Sequence, residues 1–329
     1  MDTERQEPWG KVKYDVEHDE FEAEVCTETV PMVVDRPLSA GCLVTGRCNL
    51  RCNFCYGNDE SLPSEELPAE DWRQIFVHLK SWGLLRVDLS GGEPTLRSDI
   101  SEIATHALNA GLNVVLSTNG LLHRTGPIQL PVPTRIHVSL DSGFASVHEA
   151  SRLLRSFRSS EQSFGKTSRF IRECVDQHYR VRALTCVGPH NCEGLFQLGE
   201  HLASIGVEEW NISRILPAGR AQANFETAWQ VNDQTILEQI SNIRYAFRWM
   251  RIRYSNRIEQ NGFFLLVLPN GTLATQYTDE RDKLILGQVR DMSLDDLRAH
   301  PQFDLAGHAR KWIASTIGCQ DVRCLNAAA

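Results

Sequence analysis

The sequence predicts an α/β fold: a partial (β/α)6 TIM-like barrel, open rather than closed, followed by a small C-terminal α+β region. Three observations carry this. Short apolar runs alternate six times with longer stretches of helical periodicity, which implies a parallel sheet with right-handed crossovers. Helical stretches stop at glycines, as at Gly83 and Gly111, before the next run begins. After about residue 230 the alternation ends and an Asn-Gly turn signal appears instead.

The six apolar runs are residues 41–45, 86–90, 113–117, 135–140, 180–187 and 209–215. The helix over 68–82 follows from Trp72, Ile75, Phe76 and Leu79, which share one face at helical spacing. Residues 99–110, 167–177 and 193–205 repeat that pattern, and 232–250 reads as a further helix. Residues 262–277 read as a hairpin around Pro269-Asn270-Gly271. The division expected is an N-terminal extension (1–38), the barrel (39–230) and a small C-terminal region (231–329). On sheets of this type ligands bind at the carboxyl ends of the strands.

Composition narrows the function classes. The chain has 329 residues and a formal charge of −8, so it has no general attraction for phosphate backbones, and nucleic acid is not the expected partner. No apolar run approaches the roughly 18 residues a bilayer span needs. Residues 1–14 are polar and mixed in charge and read as neither signal nor transit peptide, so a cytoplasmic location is expected. The acidic stretch 15–28 reads as a solvated surface segment. In a reducing compartment the ten cysteines stay free, and clustered ones point to metal binding or catalysis. Two clusters exist, Cys48/Cys52/Cys55 and Cys319/Cys324. Cys26, Cys42, Cys174, Cys186 and Cys192 are dispersed and read as small buried side chains.

Cys48-Asn-Leu-Arg-Cys52-Asn-Phe-Cys55 directly follows the first run. Three thiolates on one short loop can take three irons of a 4Fe–4S cluster and leave the fourth open to a small chelating ligand. A zinc or other closed site completed by a distant residue is the alternative. The spacing, with the aromatic Phe54 before the last cysteine, resembles the signature of the radical S-adenosylmethionine superfamily.

The resemblance continues strand by strand. Gly91-Gly92-Glu93-Pro94 after the second run is similar to the family's motif for the cofactor's amino group. Glycines also admit close backbone approach, and a carboxylate accepts from an ammonium. Ser117 and Asn119 end the third run, and Ser139 and Asp141 the fourth, as in the family. Such residues also serve ordinary turn chemistry. His148-Glu149-Ala-Ser-Arg152 resembles a run whose arginine meets the cofactor carboxylate, with glutamate where the family has aspartate. Residues 214–221 resemble a segment of the branch with a SPASM/twitch-type C-terminal domain. That domain's usual cysteines are missing: Gln276 stands at one position, and 256–270 has none. The outline is therefore expected to survive without the auxiliary cluster, with a metal held by Cys319, Cys324 and distant ligands as the alternative.

The resemblance implies one 4Fe–4S cluster, S-adenosylmethionine, and an electron donor such as flavodoxin or ferredoxin. It implies reductive cleavage of the cofactor to a 5′-deoxyadenosyl radical that takes a substrate hydrogen. Three uses are weighed. The first is cross-linking or epimerisation of a ribosomally synthesised peptide, although some 38 residues before the barrel are short for a leader-binding domain. The second is dehydrogenation or epimerisation of a small sugar or antibiotic intermediate. The third is a non-catalytic cluster-binding scaffold. An epimerase needs a hydrogen donor, and Cys186 and Cys192 are the candidates, each with burial as its ordinary alternative.

Overall fold

The computed structural model describes residues 3–25, 34–56, 62–121, 128–154, 163–255, 262–276 and 283–314. Strands β1 (Glu4–Glu7), β2 (Gly10–Asp15) and β3 (Glu20–Val25) form a small antiparallel sheet. One face buries Trp9, Val12, Tyr14 and Phe21 against Leu38, Leu85 and Ile313.

The acidic stretch is not simply solvated. Asp19 is buried between Arg86, Arg182 and His137, and Glu20 pairs with Arg251 and Arg253. The reason is the barrel itself. Arginines face inward at the amino ends of its strands, and buried charge requires a partner. The β2–β3 turn inserts the carboxylates that supply it.

The barrel begins with β4 (Ser39–Thr45), then β5 (Leu50–Cys52), α1 (Ala69–Ser81) and β6 (Arg86–Gly91). It continues through α2 (Ile100–Asn109), β7 (Asn113–Thr118), β8 (Arg135–Ser139), α3 (Ala145–Ser151) and β9 (Arg152–Leu154). Then come α4 (Ser163–Asp176), β10 (Val181–Val187), α5 (Leu195–Ser204), β11 (Glu209–Arg214), α6 (Asp233–Ala246) and β12 (Arg251–Ser255). The C-terminal part holds β13 (Leu265–Val267), β14 (Thr272–Gln276), β15 (Lys283–Gln288), α7 (Leu294–Ala299) and α8 (Leu305–Ala314).

One ten-stranded sheet runs β12-β11-β10-β8-β7-β6-β4-β13-β14-β15. It is parallel from β12 to β13, and the last two strands are antiparallel, so the sheet stays open. All six expected strands are present within two residues of their expected ends. β12 was not expected: Arg-Ile-Arg-Tyr-Ser carries too much charge to read as a strand. The hairpin forms around Gly271, whose φ of 80° needs a glycine, and β13 pairs with β4. The C-terminal strands thus extend the barrel sheet.

Alternation along each strand sorts the side chains. Val87, Leu89, Val114, Leu116, Ile136 and Val138 face the helices and meet Trp72, Ile75, Phe76 and Leu79 of α1 among others in one large core. Each large apolar side chain buried there contributes about 1.5–3 kcal/mol. The opposite face lines the lumen and mixes polar with a few apolar side chains. Near the carboxyl ends it carries Ser90, Ser117, Ser139, Cys186 and Ser213. Side chains this small leave the mouth of the barrel open.

Candidate active site

Cys48, Cys52 and Cys55 sit half-buried on the loop after β4. Two straps fix this loop. β5 pairs with β9, which sets Cys52 opposite Arg152, and Asn53 N–H donates to Ser151 O at 3.0 Å. Residues after β11 fold over the other end: Arg220 N–H donates to Cys55 O at 3.0 Å. Gly219 has φ 56°, and a Cβ there would lie 2.2 Å from Cys55 O. That contact explains the glycine in the 214–221 segment.

Gly91 to Pro94 packs directly beneath. Gly92 N–H donates to Thr45 O and Glu93 N–H to Arg47 O, both at 2.8 Å. A Cβ on Gly92 would lie 2.1 Å from Arg47 O, so this glycine is required by the cysteine loop's own backbone. Pro94 opens a 3-10 turn for which Glu93 is the cap. Both Glu93 oxygens are engaged. Oε1 accepts from Thr95 N–H at 3.0 Å, Thr95 Oγ1 at 2.6 Å and Thr118 Oγ1 at 2.7 Å. Oε2 accepts from Asn119 N–H at 2.7 Å. Burial raises the Glu93 carboxyl, and these four bonds pull it back. Glu93 therefore ties the end of β6 to the end of β7. Asn119 in turn donates to Asn49 Oδ1 at 2.7 Å, inside the cysteine loop.

Arg152 and Asp141 form a buried ion pair, and Asp141 Oδ1 also accepts from Cys186 N–H at 2.9 Å. Burial alone would raise the Asp141 carboxyl, but Arg152 outweighs it and holds the carboxyl below its usual range. The guanidinium carbon stands 5.4 Å over the Phe54 ring, and Nη1 lies 3.9 Å from Cys52 Sγ. Burial pushes the Cys48 thiol to about 12 and the Cys52 thiol to about 11, with Arg152 and Arg220 pulling Cys52 back. Phe54 stacks on His190 at 5.7 Å, and Trp229 meets both rings edge-on. Both ring nitrogens of His190 are buried and have no hydrogen-bond partner among the described residues.

Most of the expected site residues therefore converge at the barrel mouth. Ser117 turns elsewhere: its Oγ donates to Asp88 at 2.8 Å, inside the lumen. Cys186 packs beside Phe54, whereas Cys192 belongs to the main core behind the sheet. Cys42 and Cys174 are buried as expected. Cys26, Cys319 and Cys324 lie outside the described residues. His190 and Trp229 were missed, because single residues on two separate loops leave no local pattern, and Arg220 lay in the 214–221 segment without a role of its own.

The donor set fits a cluster better than a single ion. Among the described residues no three of His, Cys, Asp or Glu converge as a one-ion site requires. A 4Fe–4S cluster takes each thiolate on a different iron and needs no such convergence. The unpartnered His190 nitrogens add a polar site that a ligand could satisfy.

Comparison with known proteins agrees. Residues 42–193 match the Radical SAM superfamily. This chain carries a radical SAM domain. It is 29% identical over 189 residues to the AdoMet-dependent heme synthase of Methanosarcina barkeri, covering 56% of this chain and 52% of that one. It is 25% identical to the sporulation killing factor maturation protein SkfB of Bacillus subtilis, over 58% of this chain and 45% of that protein. The chain spans about half the length of these curated relatives. The fold matches Streptococcus suis SuiB bound to S-adenosylmethionine with a TM-score of 0.64 at 14% identity, covering 82% of this chain and 68% of SuiB. Among the described residues no helix is long and apolar enough to cross a membrane.

Proposed function

We propose that this chain is a radical SAM enzyme that modifies a ribosomally synthesised peptide by cross-linking or epimerisation. Cys48, Cys52 and Cys55 would hold one 4Fe–4S cluster, with S-adenosylmethionine seated beside it. When bound, the cluster and S-adenosylmethionine, with an outside reductant such as flavodoxin or ferredoxin, supply the 5′-deoxyadenosyl radical that removes a substrate hydrogen. The observation that carries this reading is the junction of three loops. The cysteine loop, the Gly91–Pro94 turn and Arg152 meet at the carboxyl ends of the strands, where such sheets bind ligands.

The chain's own residues have distinct tasks in this reading. Arg152, oriented by Asp141, offers a guanidinium to a carboxylate. Glu93 and Asn119 hold the backbone around the ligand's amino end. Phe54, with His190 and Trp229, gives an aromatic wall for a purine, while Ser139 keeps the lumen open. Cys186 faces the same site, and burial pushes its thiol to about 12. It therefore keeps its S–H and can return a hydrogen atom to a substrate radical in an epimerisation, leaving a thiyl radical that an electron from the outside reductant and a proton restore to the thiol.

The peptide reading draws on SkfB, named as a maturation protein, and on the fold of SuiB, which is also known bound to its precursor peptide SuiA. The likeness to heme synthases favours a second reading, a small-molecule substrate. The test is anaerobic reconstitution, reduction with dithionite, addition of S-adenosylmethionine, and mass spectrometry for 5′-deoxyadenosine. Product with the wild type and none with the Cys48→Ala/Cys52→Ala/Cys55→Ala variant supports the reading. No product from a fully loaded wild type supports a scaffold. Mass change in a short peptide encoded beside this protein separates the peptide reading from the small-molecule one.

A further inference from the structure

A cavity of about 300 Å³ runs down the lumen between β4, β6 and the β13–β15 hairpin. Its upper rim is Gly91, from the turn beneath the cysteine loop, and Tyr56, the residue after Cys55. Leu43, Phe264 and Leu266 make an apolar wall. Asp88 stands in the lower part, and nothing in the proposed cofactor site uses it.

The charges around Asp88 leave it under-satisfied. Arg86, its neighbour on β6, is already committed. Its Nε lies 2.5 Å from Asp19 Oδ1, its Nη1 donates to Ser39 Oγ at 3.0 Å, and its guanidinium stands 5.1 Å from the Trp312 ring. It reaches Asp88 only at 3.6 Å, beyond hydrogen-bond length. Asp88 Oδ1 accepts from Ser117 Oγ at 2.8 Å, and the long Arg86 contact is its other partner, so its remaining acceptor sites face the cavity. A carboxylate has about four acceptor sites, and a partly buried one gains most from an ionised donor. Lys283 lines the hairpin side of the cavity but is not among the main influences on Asp88, which are burial, Arg86, Ser117 and Asp19.

We infer that this cavity is the substrate pocket of the proposed enzyme and that Asp88, oriented by Ser117, selects a substrate group that ends in a protonated nitrogen on an apolar stem. This rests on the proposed function for the word substrate, but not for the binding itself. The stem lies along Leu43, Phe264 and Leu266, and the nitrogen donates to Asp88. The rim at Gly91 and Tyr56 puts the other end of the group beside the cysteine loop. In a peptide this describes a lysine or arginine side chain, and in a small molecule an aliphatic amine.

Binding of n-butylguanidinium and n-pentylamine to the reconstituted protein, followed by saturation-transfer NMR at pH 7.5, tests this. Pentanoate and pentanol serve as the charge-reversed and neutral probes. The expected result is millimolar binding of the two cations, at least tenfold weaker binding of pentanoate and pentanol, and a tenfold loss for Asp88→Asn. Leu266→Trp, which fills the cavity from the hairpin and keeps the Asp88 carboxyl, should also abolish binding. Cation binding unchanged in both variants, or pentanoate binding as well as the amine, overturns the assignment. The two readings fail separately. Asp88-dependent cation binding in a wild type that yields no 5′-deoxyadenosine removes the enzyme and keeps the pocket. 5′-Deoxyadenosine with Asp88-independent binding removes the pocket and keeps the enzyme.

Discussion

Arg152 stands directly opposite Cys52 in the β5–β9 pair, and its side chain also closes a buried ion pair with Asp141. One residue therefore links the cysteine loop to the end of β8. Arg152→Ala would leave Asp141 as an uncompensated buried carboxylate, at a cost of about 3–5 kcal/mol. Urea unfolding at pH 7.5 should show that loss. Unchanged stability would mean that Asp141 finds another partner and that Arg152 serves the ligand alone.

Gly219→Ala should damage the cysteine loop while leaving the fold in place. The added methyl would meet Cys55 O at 2.2 Å, and alanine is strained at the φ of 56°. Iron per chain after reconstitution should fall well below that of the wild type, with circular dichroism unchanged. Full iron loading would show that the 214–221 segment yields instead.

Asp19 and His137 make the plugged end of the barrel sensitive to acid. Burial opposes the Asp19 charge, but Arg86, His137 and Arg182 hold its carboxyl well below the usual range. Burial pushes His137 down to about 4. Both folded values lie below the unfolded ones, so the His137 part drains away as the pH falls from about 6.5 toward 4 and the Asp19 part only as it falls below about 4. Asp19→Asn should cost about 3–5 kcal/mol at pH 7.5 and flatten the slope below about pH 4. A slope as steep as that of the wild type would place the acid sensitivity elsewhere.

Asp88 has the opposite sign. Burial pushes its carboxyl up to about 6, with Arg86 and Ser117 pulling it back and Asp19 adding to the rise. Its folded value lies above the unfolded one, so its stability is present below about pH 4 and lost as the pH climbs through 6. Lys283 and Tyr56 line the same cavity. Asp88→Asn should therefore be more stable than wild type at pH 8, by at most about 3 kcal/mol, and equal to it near pH 4. Chemical denaturation across that range measures it. A destabilised variant at pH 8 would show that Asp88 supports the fold rather than a ligand.

The residues that local chemistry constrains were legible in the sequence. Cys48, Cys52 and Cys55 lie within eight positions, and a loop that short keeps them together whatever surrounds it. Five of the six expected strands are runs of a few apolar residues followed by a stretch of helical periodicity, and that periodicity is a property of neighbours in the chain. Gly271 marked its turn because only one kind of residue adopts that backbone freely.

What the sequence could not determine depends on residues far apart in the chain. The pairing of Asp19 with Arg86 and Arg182 turned an acidic surface stretch into the plug of a barrel. The four bonds to Glu93 made a loop clamp of a residue that also reads as a ligand for an amino group. The fold of β13 against β4 placed Phe264 and Leu266 opposite Asp88 and so made a pocket. A charge or a small side chain has no meaning until burial strips its water and supplies its partners. The sequence by itself determined the cysteine loop and the order of strands that carries it. The tertiary structure alone decided which polar groups are buried, which are satisfied, and which are left facing a ligand.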